Sequence, residues 1–498
     1  MKVLLVYPNL HGMNMLPPAI SLFTRLLRMN GHAVDLFDTT DFPIPGEETY
    51  NSDIDKVKLL TARPFDDTLL KCSVRSSVNV FEGFREKINT FGPDLIAVSV
   101  TEDIFPVAVR LLEHLDRHDI PVIMGGVFAT FAPEKCLALK AVDMVCIGEG
   151  EHALVELCDR LSKGKACFDI ENIWIKQNGS IKKNKLGPPV NIDENPLPDL
   201  SLFEESRLYR PMQGKVWRML PVETHRGCPY QCTYCNSPAQ QRLYRNETHC
   251  NHYRKKSLDA IYRELIYFKE VMKAEAFYFW ADTFFCYRED EFDAFCEMYA
   301  DIRLPFWCQT RPETIKENRV KKLIGLGLFR MAFGIEHGNP NFRKHILRRN
   351  IDDKTMIHAG GILNQLGIPF SVNNIIGFPT ETRSLAMDTV LLNRQINSDD
   401  ANAYSFSPFH GTPLREMAEK QGCIAHGLVA RSATRETLLT MPQFPPDEIE
   451  GFRRCFTLYV KMPEARWKDI KRAEKLTDQG NKIWSDLIEE CRVKYLNY

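Results

Sequence analysis

Thr224-His225-Arg226-Gly227-Cys228-Pro229-Tyr230-Gln231-Cys232-Thr233-Tyr234-Cys235 sets three cysteines in a C-x3-C-x2-C array. Thiolates spaced this closely suit a soft metal centre, and short spacers let one loop wrap around a cluster. A [4Fe–4S] cube has four irons, so three thiolates leave one iron with an open position. A structural zinc site takes four ligands, and His249 and Cys250 are the residues that would complete one. On the array alone, both centres stay open.

Around the array, from about Pro221 to Pro413, strand and helix signals alternate. Leu220 to Thr224 leads into the cysteine loop, and Leu258 to Val271 has helical periodicity. Phe277 to Trp280 ends at Ala281-Asp282, Phe306 to Thr310 at Arg311, and Phe329 to Ile335 at Glu336-His337-Gly338. Phe370 to Ile376 ends at Gly377-Phe378-Pro379, and Ala403 to Ser407 runs towards His410-Gly411-Thr412-Pro413. Repeated strand-then-helix units imply a parallel sheet, and barrel active sites lie at the carboxyl ends of such strands.

The array, with Tyr234 before its third cysteine, resembles the radical S-adenosylmethionine (SAM) superfamily. That resemblance implies a partial (β/α)6 barrel, a cluster on Cys228, Cys232 and Cys235, and SAM chelated at the open iron. It also implies roles for residues that match in place. Asp282 is expected at the SAM amino group, Glu336 at the ribose hydroxyls, and Gly377, Phe378 and Pro379 beside the adenine. Arg311 suits the SAM carboxylate, since a guanidinium grips a carboxylate as a fork. Plainer readings exist: Asp282 as a helix N-cap, Glu336 and Arg311 as a structural ion pair, Gly377 as a turn residue. The aromatics Phe277, Tyr278, Phe279, Trp280, Phe284 and Phe285 read as barrel core.

Residues 1–165 also alternate. Val3 to Tyr7 is a continuous apolar run of the kind found in strands buried on both faces. Ala19 to Met29 reads as a helix, Ala33 to Phe37 as a strand, and a charged insertion follows from about Pro43 to Ser76. Phe81 to Thr90, Ile104 to Leu115 and Glu151 to Leu161 read as helices; Leu95 to Val100, Val122 to Met124 and Met144 to Ile147 read as strands. The fold class is therefore α/β, with a doubly wound parallel sheet whose ligands bind beyond the strand carboxyl ends. Ser99 and Thr101, Gly125, Gly126 and Val127, and Gly148 and Glu149 fall at those ends. Glycines there let a flat ligand approach the backbone. Met124 to Thr130 and Ile147 to Glu151 resemble the cobalamin-binding domain found before many radical SAM domains. The D-x-H-x-x-G ligand motif of some cobalamin domains is absent from Asn9-Leu10-His11-Gly12-Met13-Asn14, so His11 reads as a loop histidine.

Residues 166–215 read as a hairpin at Asn178-Gly179 followed by a proline-rich linker. Residues 216–415 are the expected barrel, and 416–498 a helical region that caps its mouth. The 498 residues carry a net charge of -1, with 44% hydrophobic and 26% charged residues, which argues for a soluble protein and gives no basic excess for nucleic acid. The amino terminus lacks a signal-peptide pattern, and no stretch is apolar enough to span a membrane. The other cysteines are scattered singly, which fits a reducing cytoplasm.

The combined resemblance implies a cobalamin-dependent radical SAM enzyme. The expected activity is a methyltransferase that moves a methyl group from methylcobalamin to an unactivated carbon or to phosphorus through a 5′-deoxyadenosyl radical. The substrate is expected to be a small molecule or a peptide, and the electron donor an external protein such as flavodoxin or ferredoxin. A ring-forming or ring-rearranging enzyme with the same cofactors is one rival. A radical SAM methylthiotransferase acting on RNA or protein is another, but Cys72, Cys136, Cys146 and Cys158 lack the layout of its additional cluster.

Overall fold

Runs such as Val3-Leu4-Leu5-Val6 have no polar alternation, so they need cover on both faces. In the computed structural model these four side chains are at most 1% exposed. The structure describes residues 1–13, 15–47, 50–71, 78–115, 119–177 and 179–496. Asn14, Cys72 and Asn178 lie outside the described residues. The chain divides into two compact units, the first formed by Met1–Ser52, Asp67–Arg210 and Asn236–Ser257, the second by Asp53–Asp66, Pro211–Cys235 and Leu258–Tyr498.

In the first unit, β1 (Lys2–Tyr7), β2 (Ala33–Asp38), β3 (Leu95–Ser99), β4 (Val122–Gly125) and β5 (Met144–Cys146) pair in parallel in the order β2-β1-β3-β4-β5. This doubly wound order has its switch point between β1 and β3, the place where such sheets bind ligands. The helix Val80–Phe91 shows why the sequence stops where it does. Asn79 caps it by accepting from Phe81 N, and Gly92 ends it at φ 62°, a left-handed conformation that suits glycine. The hairpin belongs to the sheet: β6 (Ile173–Gln177) and β7 (Ser180–Lys183) continue it antiparallel beyond β5. The proline-rich stretch after it is tied down, with Asp199 N bonded to Ser21 O at 3.0 Å.

The sheet of the second unit runs β14-β13-β12-β11-β10-β9-β8. Its strands are β8 (Tyr209–Met212), β9 (Lys215–Glu223), β10 (Ala276–Trp280), β11 (Phe306–Thr310), β12 (Leu328–Glu336), β13 (Phe370–Ile376) and β14 (Asp400–Ser405). From β9 to β14 every neighbouring pair is parallel, giving the six strands of a half-barrel. Outward residues such as Met331, Phe333, Ile335, Phe370, Val372 and Ile376 are at most 1% exposed. Of the aromatics read as core, Phe277, Tyr278, Phe279, Phe284 and Phe285 are buried, whereas Trp280 is half-buried.

The insertion and the tail both feed this core. Leu60, in the segment Asp53–Asp66, is fully buried with Phe342, Phe378 and Phe406. The tail helices Pro446–Arg454 and Phe456–Lys461 pack on β14, the second also on the helix Arg383–Ile396, while Trp467–Ala473 and Asp478–Cys491 pack on Phe456–Lys461 and on each other. Arg394 Nη1 bonds the carbonyls of Tyr459, Val460 and Met462 at 2.8, 3.1 and 2.7 Å, which satisfies the carboxyl end of Phe456–Lys461. Among the described residues, no helix is long and apolar enough to cross a membrane.

Candidate cluster and cofactor sites

The cysteine loop leaves the carboxyl end of β9, turning at Gly227 with φ 79°. It is anchored by backbone rather than by sulfur. Thr233 donates its N–H to Leu347 O at 3.2 Å and its hydroxyl to Ile346 O at 2.7 Å, and Leu414 N donates to Thr233 O at 3.2 Å. Cys228 Sγ lies 4.0 Å from Thr283 Oγ1. Burial, with the nearby Asp282 charge adding to it, pushes the Cys228 thiol up to about 12. Cys232 is 7% exposed and accepts from Arg311 Nη1 at 3.3 Å. Arg311 also lies 3.8 Å over the Tyr230 ring and bonds Glu313 Oε1 at 2.6 Å. Among the described residues, no three His, Cys, Asp or Glu side chains converge on one point as a single ion requires. A cube binds each cysteine through a different iron, so its sulfurs stand apart. Three thiols on one anchored loop fit that cluster, and bound iron's charge offsets the raised thiol pKa.

Glu336 closes β12 with φ 67°, where the pairing with β13 shifts register between Gly334 and Glu336. A bulge of this kind re-aims a side chain, and left-handed backbone at a non-glycine residue stores strain of roughly 1–3 kcal/mol. The carboxylate folds back over Gly334, where a Cβ would collide with Oε1. Its cationic partner is Arg349, with Nη1 at 3.8 Å, rather than Arg311. Arg349 also reaches Tyr234 Oη at 3.5 Å and Gly334 O. Burial raises the pKa of Glu336 against the pull of Arg349, and burial together with Glu336 raises that of Tyr234. Tyr234 therefore stays a protonated donor beside Glu336. Asp282 is exposed just past β10, and the next helix begins only at Glu289, so it caps no helix.

Gly377 turns at φ 87° at the end of β13. Glu381 Oε2 accepts from Gly377 N at 2.5 Å and from Phe378 N at 3.0 Å, and its Oε1 lies 3.1 Å from His337 Nε2, with both side chains fully buried. His337 Nδ1 accepts from Asn339 N at 3.0 Å, and its ring stacks on Phe342 at 4.2 Å. Phe378 is fully buried, 6.2 Å from the Tyr234 ring; Pro379 is also buried. Glu381 thus ties the Gly377 loop to the residue after Glu336. Glu381→Ala is expected to strand two buried N–H donors, each costing about 1–3 kcal/mol. We expect SAM affinity, measured by equilibrium dialysis, to fall at least about tenfold in Glu381→Ala, while Glu381→Gln, which keeps an acceptor, recovers most of it. Equal affinity in a folded, iron-loaded Glu381→Ala protein would count against this role.

In the first unit the cofactor candidates sit at neighbouring strand ends. Ser99 is half-buried and Thr101 exposed, its hydroxyl on Asp103 Oδ1 at 2.5 Å. The three glycines differ. Gly126 has φ 104°, and a Cβ there would collide with Val100 O; Gly148 has φ 74°, and a Cβ there would collide with the Tyr244 hydroxyl. Gly125 is outside the left-handed region and has nothing closer to a Cβ than Cys146 at 3.6 Å. Val127, half-buried, begins the short helix Val127–Phe131. Glu149 is held by its surroundings: Arg254 and His252 (3.8 Å) face Oε1, Val190 N donates to Oε2 at 2.8 Å, and Glu149 N donates to Tyr244 Oη at 2.8 Å. His11 Nδ1 lies 3.2 Å from Thr40 O.

Sequence reading missed Arg349, Glu381, His337 and Tyr244. Only Glu381 carried a signal, an acid four residues past a strand-end glycine.

The sequence profile of the radical SAM superfamily matches residues 222–392, and that of the B12-binding domain matches residues 58–158. An uncharacterized methyltransferase of Pyrococcus horikoshii is 26% identical over 401 residues, 78% of this chain and 83% of that protein. An anaerobic magnesium-protoporphyrin IX monomethyl ester cyclase of Rubrivivax gelatinosus is 25% identical over 68% of this chain and 60% of its own length. The fold matches the radical SAM methyltransferase TsrM of Kitasatospora setae, solved with cobalamin and a [4Fe–4S] cluster, at TM-score 0.65, 14% identity and 99% of each chain.

Proposed function

From a chain that belongs to the radical SAM superfamily and carries an N-terminal B12-binding domain, we propose a cobalamin-dependent methyltransferase acting on an unactivated carbon or phosphorus of a small molecule or peptide. The observation that carries this reading is the pairing, on one chain, of an anchored three-cysteine loop at the mouth of a half-barrel with a doubly wound sheet of B12-binding type. Cys228, Cys232 and Cys235 would hold the cluster. Glu336, kept in place by Tyr234 and Arg349, suits ribose hydroxyls, and the Gly377-Phe378-Pro379 loop suits the adenine. Asp282, exposed beside Cys228, suits an amino group. Arg311 is placed to hold a cluster thiolate, and its role at the SAM carboxylate rests on the resemblance alone. Gly125, where a Cβ would meet only Cys146 at 3.6 Å, suits the close approach of a corrin. When bound, these cofactors supply one-electron cleavage of SAM and a transferable methyl group; the chain supplies positions, hydrogen bonds and exclusion of water. The electron is proposed to come from an external flavodoxin- or ferredoxin-like protein.

Stoichiometry tests the reading. Methyl transfer needs one SAM for the radical and one for the methyl group, so 5′-deoxyadenosine and S-adenosylhomocysteine are expected in about equal amounts. Methyl-deuterated SAM should then deliver its label to product. The cyclase relative favours a second reading, ring formation without methyl transfer. Product forming with 5′-deoxyadenosine alone would decide for that one.

A further inference from the structure

The helix Pro340–His345 and the turn after it hold the cysteine loop. Thr233, between Cys232 and Cys235, donates its N–H to Leu347 O and its hydroxyl to Ile346 O. One hydrogen bond therefore joins the peptide between Cys232 and Thr233 to the peptide between Leu347 and Arg348. Pro229 and Gln231 are exposed, so the cysteine loop itself reaches the surface.

The turn is built around a buried arginine. Arg343, fully buried, donates to His337 O at 2.9 Å, Gly338 O at 2.6 Å and Ile351 O at 3.1 Å. Arg349 N closes the turn on Arg343 O at 2.8 Å. Arg348 takes left-handed backbone at φ 51°, a conformation that stores strain outside glycine. It stands where two consecutive arginines part: Arg349 is buried beside Glu336, and Arg348 is exposed. Charge also accumulates here. Pro340 to Lys354 hold five Lys and Arg against two Asp, in a chain whose net charge is -1. Both acids are already engaged: Asp353 pairs with Arg343, and Asp352 caps the next helix by accepting from Thr355 N. Lys344, His345 and Arg348 are exposed, and none has an ion-pair or side-chain hydrogen-bond partner among the described residues. Like charges gathered on one short turn repel each other and do nothing for folding. They do steer an oppositely charged partner.

We infer that the exposed face of residues 344–348 docks an acidic electron carrier, a flavodoxin-like protein that delivers the electron for SAM cleavage. The inference rests on the proposed function, which needs such a carrier. The step moves one electron from the carrier's reduced flavin to the oxidised cluster and makes no bond between the proteins. Redox encounters of this kind bury little surface, so complementary charge sets how often they form. The bond from Thr233 to Leu347 brings that face onto the backbone of the cysteine loop.

An acidic bacterial flavodoxin is the probe, its binding to immobilised, reconstituted holoenzyme read by biolayer interferometry. Wild-type affinity is expected to fall steeply as salt rises from about 0.01 to 1 M, the range that screens surface charge. Lys344→Glu with Arg348→Glu is expected to weaken binding at least about tenfold at low salt and to flatten the salt dependence. Iron content, SAM affinity and dithionite-driven SAM cleavage are expected to stay at wild-type values, because dithionite needs no docking face. If the charge-reversed protein fails to load iron, Lys344→Gln with Arg348→Asn, which tolerates left-handed backbone, supplies the same comparison. Undiminished flavodoxin binding in a folded variant, binding indifferent to salt, or tighter binding of an RNA oligonucleotide would each overturn the docking face. So would an equal loss of cleavage with dithionite and with flavodoxin, which would move both residues to the SAM site. If wild type cleaves SAM with dithionite while flavodoxin ignores the variants, the docking face fails and the cofactor reading stands. Wild type that binds flavodoxin through this face but never cleaves SAM separates the two failures in the other direction.

Discussion

Replacing Cys228, Cys232 and Cys235 together by Ala is expected to give a folded protein without iron and without SAM cleavage. The wild type, reconstituted without oxygen, should bind about four irons per chain and absorb broadly in the visible through its thiolate–iron bonds. The variant should still fold because the loop does not depend on its sulfurs. Thr233 holds it to Ile346, Leu347 and Leu414 by three hydrogen bonds, and Gly227 sets its turn. Each change deletes one sulfur, and of the three only Cys232 is buried. A melting temperature within a few degrees of wild type, together with complete loss of iron, is the expected pair of results. Iron loading also has a pH sign. The Cys228 thiol is pushed up to about 12 by burial, so it enters the cluster by losing a proton that neutral solution leaves in place. Metal binding to such ligands releases protons, and assembly should therefore strengthen as pH rises. Full iron content in the triple variant would place the ligands elsewhere.

The strands were legible because their apolar runs are short, buried on both faces and bounded by polar or glycine residues. β1, β11 and β13 lie within a residue of their expected bounds. The strand-end residues were legible for the same reason: a barrel puts function where a strand stops. What the sequence hid was pairing. Arg349 reaches Glu336 and Tyr234 from beyond the end of β12, and nothing in its local pattern marks that reach. Arg311, its ion-pair partner in the plainer reading, turns instead to Glu313 and Cys232. Glu336 is aimed by a bulge, which no periodicity announces. The hairpin was read correctly as a hairpin, but its attachment to β5 is a long-range contact that composition does not encode.

Glycine meaning was the other hidden quantity, and it sets the test for cobalamin. Sequence alone treats Gly125 and Gly126 alike, with a bulky residue at either expected to block a corrin. The structure separates them. Gly126 is required by its φ of 104° and by the Val100 carbonyl, so any side chain there strains the loop whether or not a ligand binds. Gly125 has ordinary backbone, and a Cβ there would meet only Cys146 Cβ at a normal contact distance of 3.6 Å, so the fold does not require its lack of a side chain. Replacing a glycine where the backbone permits it usually stabilises, by about 0.4–1 kcal/mol, through the unfolded chain. Gly125→Ala is therefore expected to hold or raise the melting temperature of the cobalamin-free protein. Gly125→Phe should purify with its iron but with cobalamin reduced at least about tenfold, read from the corrin absorbance of the purified protein. Gly126→Ala, by contrast, should lower stability and cobalamin together. A glycine that costs stability and is needed only when the cofactor is present is the signature of a ligand's footprint. Wild-type cobalamin content in a stable Gly125→Phe protein would move that footprint off the end of β4.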